Sequence, residues 1–286
     1  MSEVATSAAN RKLPGPVGNF VLRSLYQTMA AVRLTLRNVV FGKRTILMVL
    51  LACVPIGIAV LLRNVMPEEG GRPPSHELFT GMFAVLYVYF VTILVAIFYG
   101  TSLLGDERND RTITFLLTRP MPRELIVLGK FLAYAVGVVA LLVASLAVTY
   151  SIFAGMDYDV ESFRIKVPFL MHARVVALAA IAYGAVFAFM GATFKRPIIA
   201  AFAYCFVWES ILPYLPVFLK KATLMHYVLS LVPNWTAEGG VLAFAAEPTK
   251  PADAVQTLLW VCAAFLVLTV VSLRTKEHTF EKEKEL

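Results

Sequence analysis

Long apolar runs with few charges alternate with short charged segments along the whole chain. Six of these runs approach or exceed about 20 residues, the length a helix needs to cross roughly 30 Å of hydrocarbon. Because the bilayer core holds no water, each run has to satisfy its own backbone hydrogen bonds as a helix. The six predicted transmembrane helices are 45–62, 78–104, 125–156, 175–194, 197–219 and 254–273.

Composition supports this class. Of the 286 residues, 59% are hydrophobic and only 16% are charged, and the mean hydropathy is +0.73. A soluble domain would carry about 25% charged residues. The sequence therefore predicts an all-α integral membrane protein.

A basic amphipathic helix is predicted ahead of the first span, at 17–44. Apolar side chains such as Leu22, Leu25 and Met29 recur at steps of three and four, while Arg33 and Arg37 occupy other faces. Such a helix suits the headgroup region, where it would contact membrane lipid. The alternative is a helix packed on a partner protein. The preceding segment, 1–16, is small and polar and is predicted to be disordered.

The distribution of lysine and arginine predicts the orientation. With the N-terminus in the cytosol, eighteen of the 26 basic residues lie inside and eight lie outside, as the positive-inside rule requires. Both termini, including the charged tail 274–286, are then cytosolic. The net charge of +7 is explained by this topology and by attraction to the inner leaflet, so it gives no reason to expect nucleic acid.

The loop between the second and third spans, 105–124, combines charges with an apolar patch. Acidic side chains near a helix start favour the positive end of its dipole, and Glu107 and Arg111 are spaced to pair one turn apart. Pro120 and Pro122 then end the helix. A charged and apolar cytosolic helix between two spans is typical of a docking element. The predicted coupling residues are Asp106, Glu107, Arg108, Asp110, Arg111, Thr112, Phe115 and Leu116.

A second irregular region, 220–253, separates the fifth and sixth spans. Its apolar stretch 222–232 is too short to cross a membrane, and the segment that follows contains a Gly-Gly turn at 239–240. The pattern predicts an external re-entrant or interfacial helical hairpin before the last span.

Glu209 is the ionisable residue well inside a predicted span. A carboxylate at that depth costs about 2.5–3.5 kcal/mol on insertion scales, and such residues usually face a bundle interior or a cavity. Two interpretations stay open. Glu209 lines a substrate path with its neighbours Tyr204 and Trp208, or it is a protonated structural acid that is hydrogen-bonded to Ser210, a tyrosine or a neighbouring helix.

No catalytic or metal site is predicted. The three cysteines lie inside predicted spans and away from any ligand spacing. His172 and His226 lack a second ligand at a suitable spacing and are interpreted as interfacial residues. The spans supply no paired carboxylates.

The loop at the junction of the second and third spans resembles that of the membrane subunit, or permease, of type-2 ATP-binding-cassette (ABC) exporters. The residues that carry the resemblance have the arrangement E-x4-T-x3-L-x3-P-x2-R-x5-G-K. They are Glu107, Thr112, Leu116, Pro120, Arg123, Gly129 and Lys130. Where the family typically has glycine before the threonine, this chain has Arg111. The amphipathic entry helix, the six spans and the outer hairpin extend the resemblance over almost the full length.

The resemblance implies a half-transporter in a prokaryotic cytoplasmic (inner) membrane. It would pair with a second permease subunit, identical or different, and two copies of a cytosolic ABC ATPase would bind the coupling helix. ATP and Mg would be bound by that partner, since this chain lacks a G-x-x-x-x-G-K-[ST] loop and would itself bind no cofactor. The alternative is a membrane anchor or sensor that holds a cytosolic partner without transporting. A secondary transporter is less favoured, because no inverted repeat is evident.

Overall fold

The computed structural model of the chain describes residues 43–65, 74–109, 123–156, 160–209, 211, 221–233 and 249–284. For 43–44, 106–109, 123 and 276–284 it describes the backbone alone. Regular structure within these ranges is helical throughout, with no strand, which confirms the predicted all-α class. The predicted segments 1–16 and 17–44 lie outside the described residues, apart from 43–44, which belong to the first helix.

The helices follow one another with short connections. They are α1 (Lys43–Val65), α2 (Ser75–Met82), α3 (Thr92–Asn109), α4 (Arg123–Ala154), α5 (Val160–Lys166), α6 (Phe169–Thr193), α7 (Pro197–Ala203), α8 (Leu224–Ser230) and α9 (Pro251–Lys284). Two π-helical segments, π1 (Phe83–Val91) and π2 (Tyr204–Glu209), join α2 to α3 and extend α7.

Five helical stretches among the described residues are long and apolar enough to cross a membrane. They are Thr45–Val65, Ser75–Gly105, Glu124–Ala154, Phe169–Thr193 and Pro251–Thr275, and they overlap the predicted first, second, third, fourth and sixth spans. The predicted fifth span, 197–219, is described only through Glu209 and at Ile211, and Pro197–Glu209 alone is too short to cross. The crossing by the predicted fifth span therefore stays a prediction.

Two helices extend beyond their apolar runs. α6 begins at Phe169, before the predicted start at 175, because Pro168 is the last extended residue and the exposed Arg174 interrupts the hydropathy but not the helix. α9 continues to Lys284, through most of the predicted tail 274–286. The glutamates and lysines of that tail are good helix formers, so the helix continues beyond its apolar residues.

α6 is the central helix of the bundle, with 78% of its most apolar window buried. Small residues allow its close contacts. A Cβ at Gly191 would lie 2.5 Å from the Thr101 carbonyl oxygen of α3, and one at Gly184 would lie 2.2 Å from the Tyr134 ring of α4. The Tyr134 hydroxyl donates a hydrogen bond to the Ala180 carbonyl oxygen at 2.9 Å. Close approach of backbones at small residues is the usual way in which transmembrane helices associate.

A buried polar chain links α1, π1 and α4. The Ser145 hydroxyl donates to the Ala52 carbonyl oxygen at 2.5 Å, which uses its only proton. The Tyr87 hydroxyl, 2.9 Å from Ser145 Oγ, is therefore the donor in that bond, and it accepts from the Thr149 hydroxyl at 2.9 Å. Each of these three hydroxyl groups thus has a hydrogen-bond partner away from water.

The two helices that flank the predicted coupling loop, α3 and α4, meet at one end of the bundle, which is called here the loop end. Arg274, near the end of the apolar stretch of α9, forms an ion pair with Glu124 in the first turn of α4. Gly105 of α3 faces the start of α7, so that a Cβ there would lie 3.2 Å from Pro197 Cγ. α3, α6 and α9 therefore run toward this end, and α4 and α7 start from it.

The opposite end, called here the hairpin end, is closed by an aromatic cluster. The Phe79 ring packs against those of Phe163 and His172, with centroids 6.1 and 5.3 Å apart. His172 is 1% exposed, and its Nδ1 lies 3.0 Å from the Pro168 carbonyl oxygen. His172 is thus buried among these rings, because α6 begins before the predicted start of the span. Its level at the membrane interface stays a prediction.

Candidate functional site

The predicted coupling helix is described only at its edges. Asp106, Glu107 and Arg108 lie in the last turn of α3, where the structure gives the backbone alone. The remaining coupling residues lie outside the described part of the chain. They are Asp110, Arg111, Thr112, Phe115 and Leu116.

Both edges of this loop are anchored in the bundle by a buried cation. Lys130, one of the residues that carry the family resemblance, is only 7% exposed, and its Nζ donates to the Leu103 carbonyl oxygen at 3.3 Å. Lys130 belongs to α4 and Leu103 to α3, so the contact joins the helix that enters the loop to the helix that leaves it.

Glu209 lies at the end of π2 and is 4% exposed. Its Oε1 accepts hydrogen bonds from the Tyr204 hydroxyl at 2.9 Å and from the Leu224 backbone N–H at 3.1 Å. Its Oε2 accepts from the Met225 backbone N–H at 3.1 Å. The carboxyl group therefore satisfies two of the free amides at the start of α8, the groups that a helix leaves without an internal partner.

A second side chain completes this cap. Thr223, the residue before α8, accepts from the His226 backbone N–H at 3.3 Å through its hydroxyl oxygen. Tyr183 of α6 brings a second hydroxyl toward Glu209, but this buried group makes no well-formed hydrogen bond. Glu209 thus lies where π2, α6 and α8 converge.

The other two candidate path residues have different surroundings. Tyr204 is half-buried and directs its hydroxyl to Glu209. Trp208 is 43% exposed, and its indole Nε1–H donates to the Ala222 carbonyl oxygen at 3.2 Å. Trp208, like Glu209, bonds to the segment that precedes or begins α8, whereas Tyr204 bonds to Glu209 itself. The three candidates are therefore brought together where π2 contacts the start of α8.

α8 is the described arm of the predicted hairpin 220–253. Its Leu224, Met225 and Val228 side chains are buried against the bundle. Its last turn is tied to the start of α9, because His226 Nε2 lies 2.9 Å from Thr249 Oγ1 and the Thr249 N–H donates to Ser230 Oγ at 3.2 Å. Residues 234–248, the rest of the hairpin, lie outside the described part of the chain.

Two features of these sites escaped sequence reasoning. Lys130 belongs to a sequence motif, but its bond is to Leu103, a residue of another helix that lies 27 positions earlier in the chain. The cap on α8 joins Glu209 to residues beyond a proline-containing segment, so no local spacing reveals it. The signal in the sequence is Glu209 itself. A polar residue in an apolar run indicates that a hydrogen-bond partner exists, but it does not identify that partner. In the described ranges, no group of three or more His, Cys, Asp or Glu side chains could hold a metal ion.

Comparison with known families gives one match. A family model described as ABC-2 family transporter protein matches residues 68–274, which is more than half of the chain and includes the coupling loop, α6 and the Glu209 contact. None of the curated proteins compared with the chain matches it.

Proposed function

Since this chain belongs to the ABC-2 transporter family, we propose that it is the permease subunit of an ATP-driven exporter, one of two membrane subunits that together form the path. Family membership makes it a membrane component of an ABC transporter, the transport subunit rather than the ATPase, and implies a cytosolic ATPase partner. ATP and Mg are bound by that partner in this proposal. The anchor or sensor alternative receives no support from the family match.

The observation that supports coupling most directly is the Lys130–Leu103 bond. A rigid body that pushes on the loop 110–122 would act on α3 and α4 together, because this bond and the packing of both helices on α6 hold them as one unit. Motion of a bound ATPase would therefore reach the centre of the bundle. The loop end faces the cytosol in this proposal, as the eighteen basic residues predict.

We also infer that the outer hairpin is re-entrant. Glu209 is twelve positions after Pro197, or about 18 Å along the helix, whereas the hydrocarbon is about 30 Å thick. The start of α8, which Glu209 caps, would then lie below the membrane surface. Water cannot satisfy the first amides of a helix at that depth, which explains why a carboxyl group does so.

Charge reversal in the coupling segment tests the proposal. Glu107→Arg should weaken co-purification of the ATPase with the full chain, because it removes the predicted pairing with Arg111 and presents a cation to the partner. Glu77→Arg is the matched control, since it makes the same change on an exposed residue at the hairpin end. Both variants should reach the membrane in normal amounts. Equal recovery of ATPase with Glu107→Arg and with the unaltered chain would contradict the assignment of the coupling segment.

A further inference from the structure

A groove runs between the first turns of α4 and the part of α9 where its apolar stretch ends. The groove has a volume of about 330 Å³ and is lined by branched aliphatic side chains. The Glu124–Arg274 ion pair lies at its mouth, toward the loop end of the bundle. The apolar lining residues are Val127, Leu128, Leu266, Val267, Val270 and Val271.

The groove exists because α9 turns a different face toward α6. Phe265 packs on Phe189 with ring centroids 5.6 Å apart, and Ser272 Oγ lies 3.1 Å from Thr193 Oγ1. Thr269 lies on the same face and is fully buried. The lining positions of α9 lie to one side of this face, toward α4, and carry mostly short valines. The space between α4 and α9 is therefore left open along about 12 Å of helix, from Leu266 to Arg274.

The level of the groove in the membrane limits what occupies it. The apolar stretch of α4 begins at Glu124 and that of α9 ends at Thr275, so the ion pair lies at the boundary of the hydrocarbon and the valines lie within it. Val267 and Val271 are 62% and 47% exposed. At this depth the surrounding solvent is lipid, and an acyl chain is the occupant whose chemistry matches the walls.

The mouth of the groove offers one cation and one carboxylate. The side chains of Arg274 and Glu124 are 60% and 39% exposed, so both remain accessible. A guanidinium pairs well with a phosphate. A carboxylate beside it would repel a headgroup that is only anionic, but it would accept hydrogen bonds from a primary ammonium. The two charges together complement a headgroup that carries both a phosphate and an amine.

We propose that this groove is a binding site for an aminophospholipid such as phosphatidylethanolamine, with one acyl chain between α4 and α9, the phosphate at Arg274 and the ammonium at Glu124. The site opens laterally to the leaflet at the loop end. It is separate from the contact between π2 and the hairpin at the other end of the bundle, and it does not depend on the proposed transport function.

Lipid titration of the purified, delipidated full chain tests the site. Native mass spectrometry would follow the binding of dioleoyl phosphatidylethanolamine, phosphatidylcholine and phosphatidylglycerol. The ethanolamine lipid should bind more tightly than the other two, by up to about fivefold, the upper range for an exposed charge pair. Equal affinity for the three lipids would overturn the headgroup assignment.

Two kinds of variant locate the binding. Val270→Trp fills the groove and should abolish the preference, whereas Leu268→Trp, at the same depth but outside the groove, should leave it intact. The double variant Glu124→Gln, Arg274→Gln keeps the shape and should bind the three lipids equally. An undiminished preference in Val270→Trp would overturn the proposal. So would efficient disulfide cross-linking of two copies through Val267→Cys, since a second chain would then cover the groove.

Discussion

Glu209 shows how one buried polar residue can hold two distant segments together. Its carboxyl group joins π2 to α8 through a hydroxyl and two backbone amides. Burial of a carboxyl is costly unless its hydrogen bonds are made, and here each oxygen has at least one donor. The geometry therefore favours a structural role for Glu209, although a path role would use the same residue.

Substitutions at this contact separate the two roles. Glu209→Leu leaves the Leu224 and Met225 amides without an acceptor and should lower stability by about 1–3 kcal/mol for each unsatisfied amide. Glu209→Gln retains one acceptor oxygen and should cost less. Tyr204→Phe, which removes only a donor, should be the mildest change. Thermal unfolding of the detergent-purified variants measures this order. A Gln variant with unchanged stability and altered transport or ATP turnover would instead show that the carboxyl acts in the path.

The glycines of α6 give a second prediction for single residues. Gly184→Ala should destabilise the chain because its methyl group would overlap the buried Tyr134 ring, which is held by its bond to Ala180. Gly57→Ala is the control. It adds the same methyl group to the exposed side of α1, where nothing lies within 4 Å, and should be neutral or stabilising by about 0.5–1 kcal/mol. Similar unfolding temperatures for the two variants would show that α6 is not packed as described.

Among the helices, α3 and α4 are joined by the bond from Lys130 to Leu103, beside the predicted coupling loop. Lys130→Met keeps most of the apolar stem but removes the donor to Leu103. The expected result is a small change in stability and a clear loss of permease-dependent ATP turnover, because the two helices would no longer move together. Lys221→Met, an exposed position at the hairpin end, is the matched control. Normal turnover in the Lys130 variant would mean that this bond does not transmit the coupling motion.

Across the whole molecule, the described helices place the end of α3, the start of α4 and Arg274 of α9 on the same side of the bundle. The test uses a chain in which Cys53, Cys205 and Cys262 are replaced by alanine. Cysteines introduced at Asn109 and Glu281 should then be accessible from the same side of the membrane. Those at Asp159 and Glu247 should be accessible from the other side and react with an impermeant thiol reagent from outside intact cells. Labelling of Asn109 from outside would reverse the proposed orientation.

The apolar runs alone determined the membrane class, and they located five helices that the structure shows to be long enough to cross. Each crossing depends on local hydropathy and on the need to satisfy the backbone within one segment, so each is readable from consecutive residues. The motif that ends in Gly129 and Lys130 likewise identified the family without any coordinates.

Only the tertiary structure decided which helices are central and which polar groups meet. Hydropathy cannot distinguish α6, which is mostly buried, from α9, which is 22% buried in its apolar window, because lipid tails and protein interiors are equally apolar. Glu209 bonds to amides of α8, Lys130 bonds to a carbonyl of α3, and the His172 ring packs on that of Phe79 from α2. These contacts between helices depend on how the bundle packs. Local sequence records that a polar residue is present in an apolar run, whereas the group that satisfies it is fixed by the arrangement of the whole bundle.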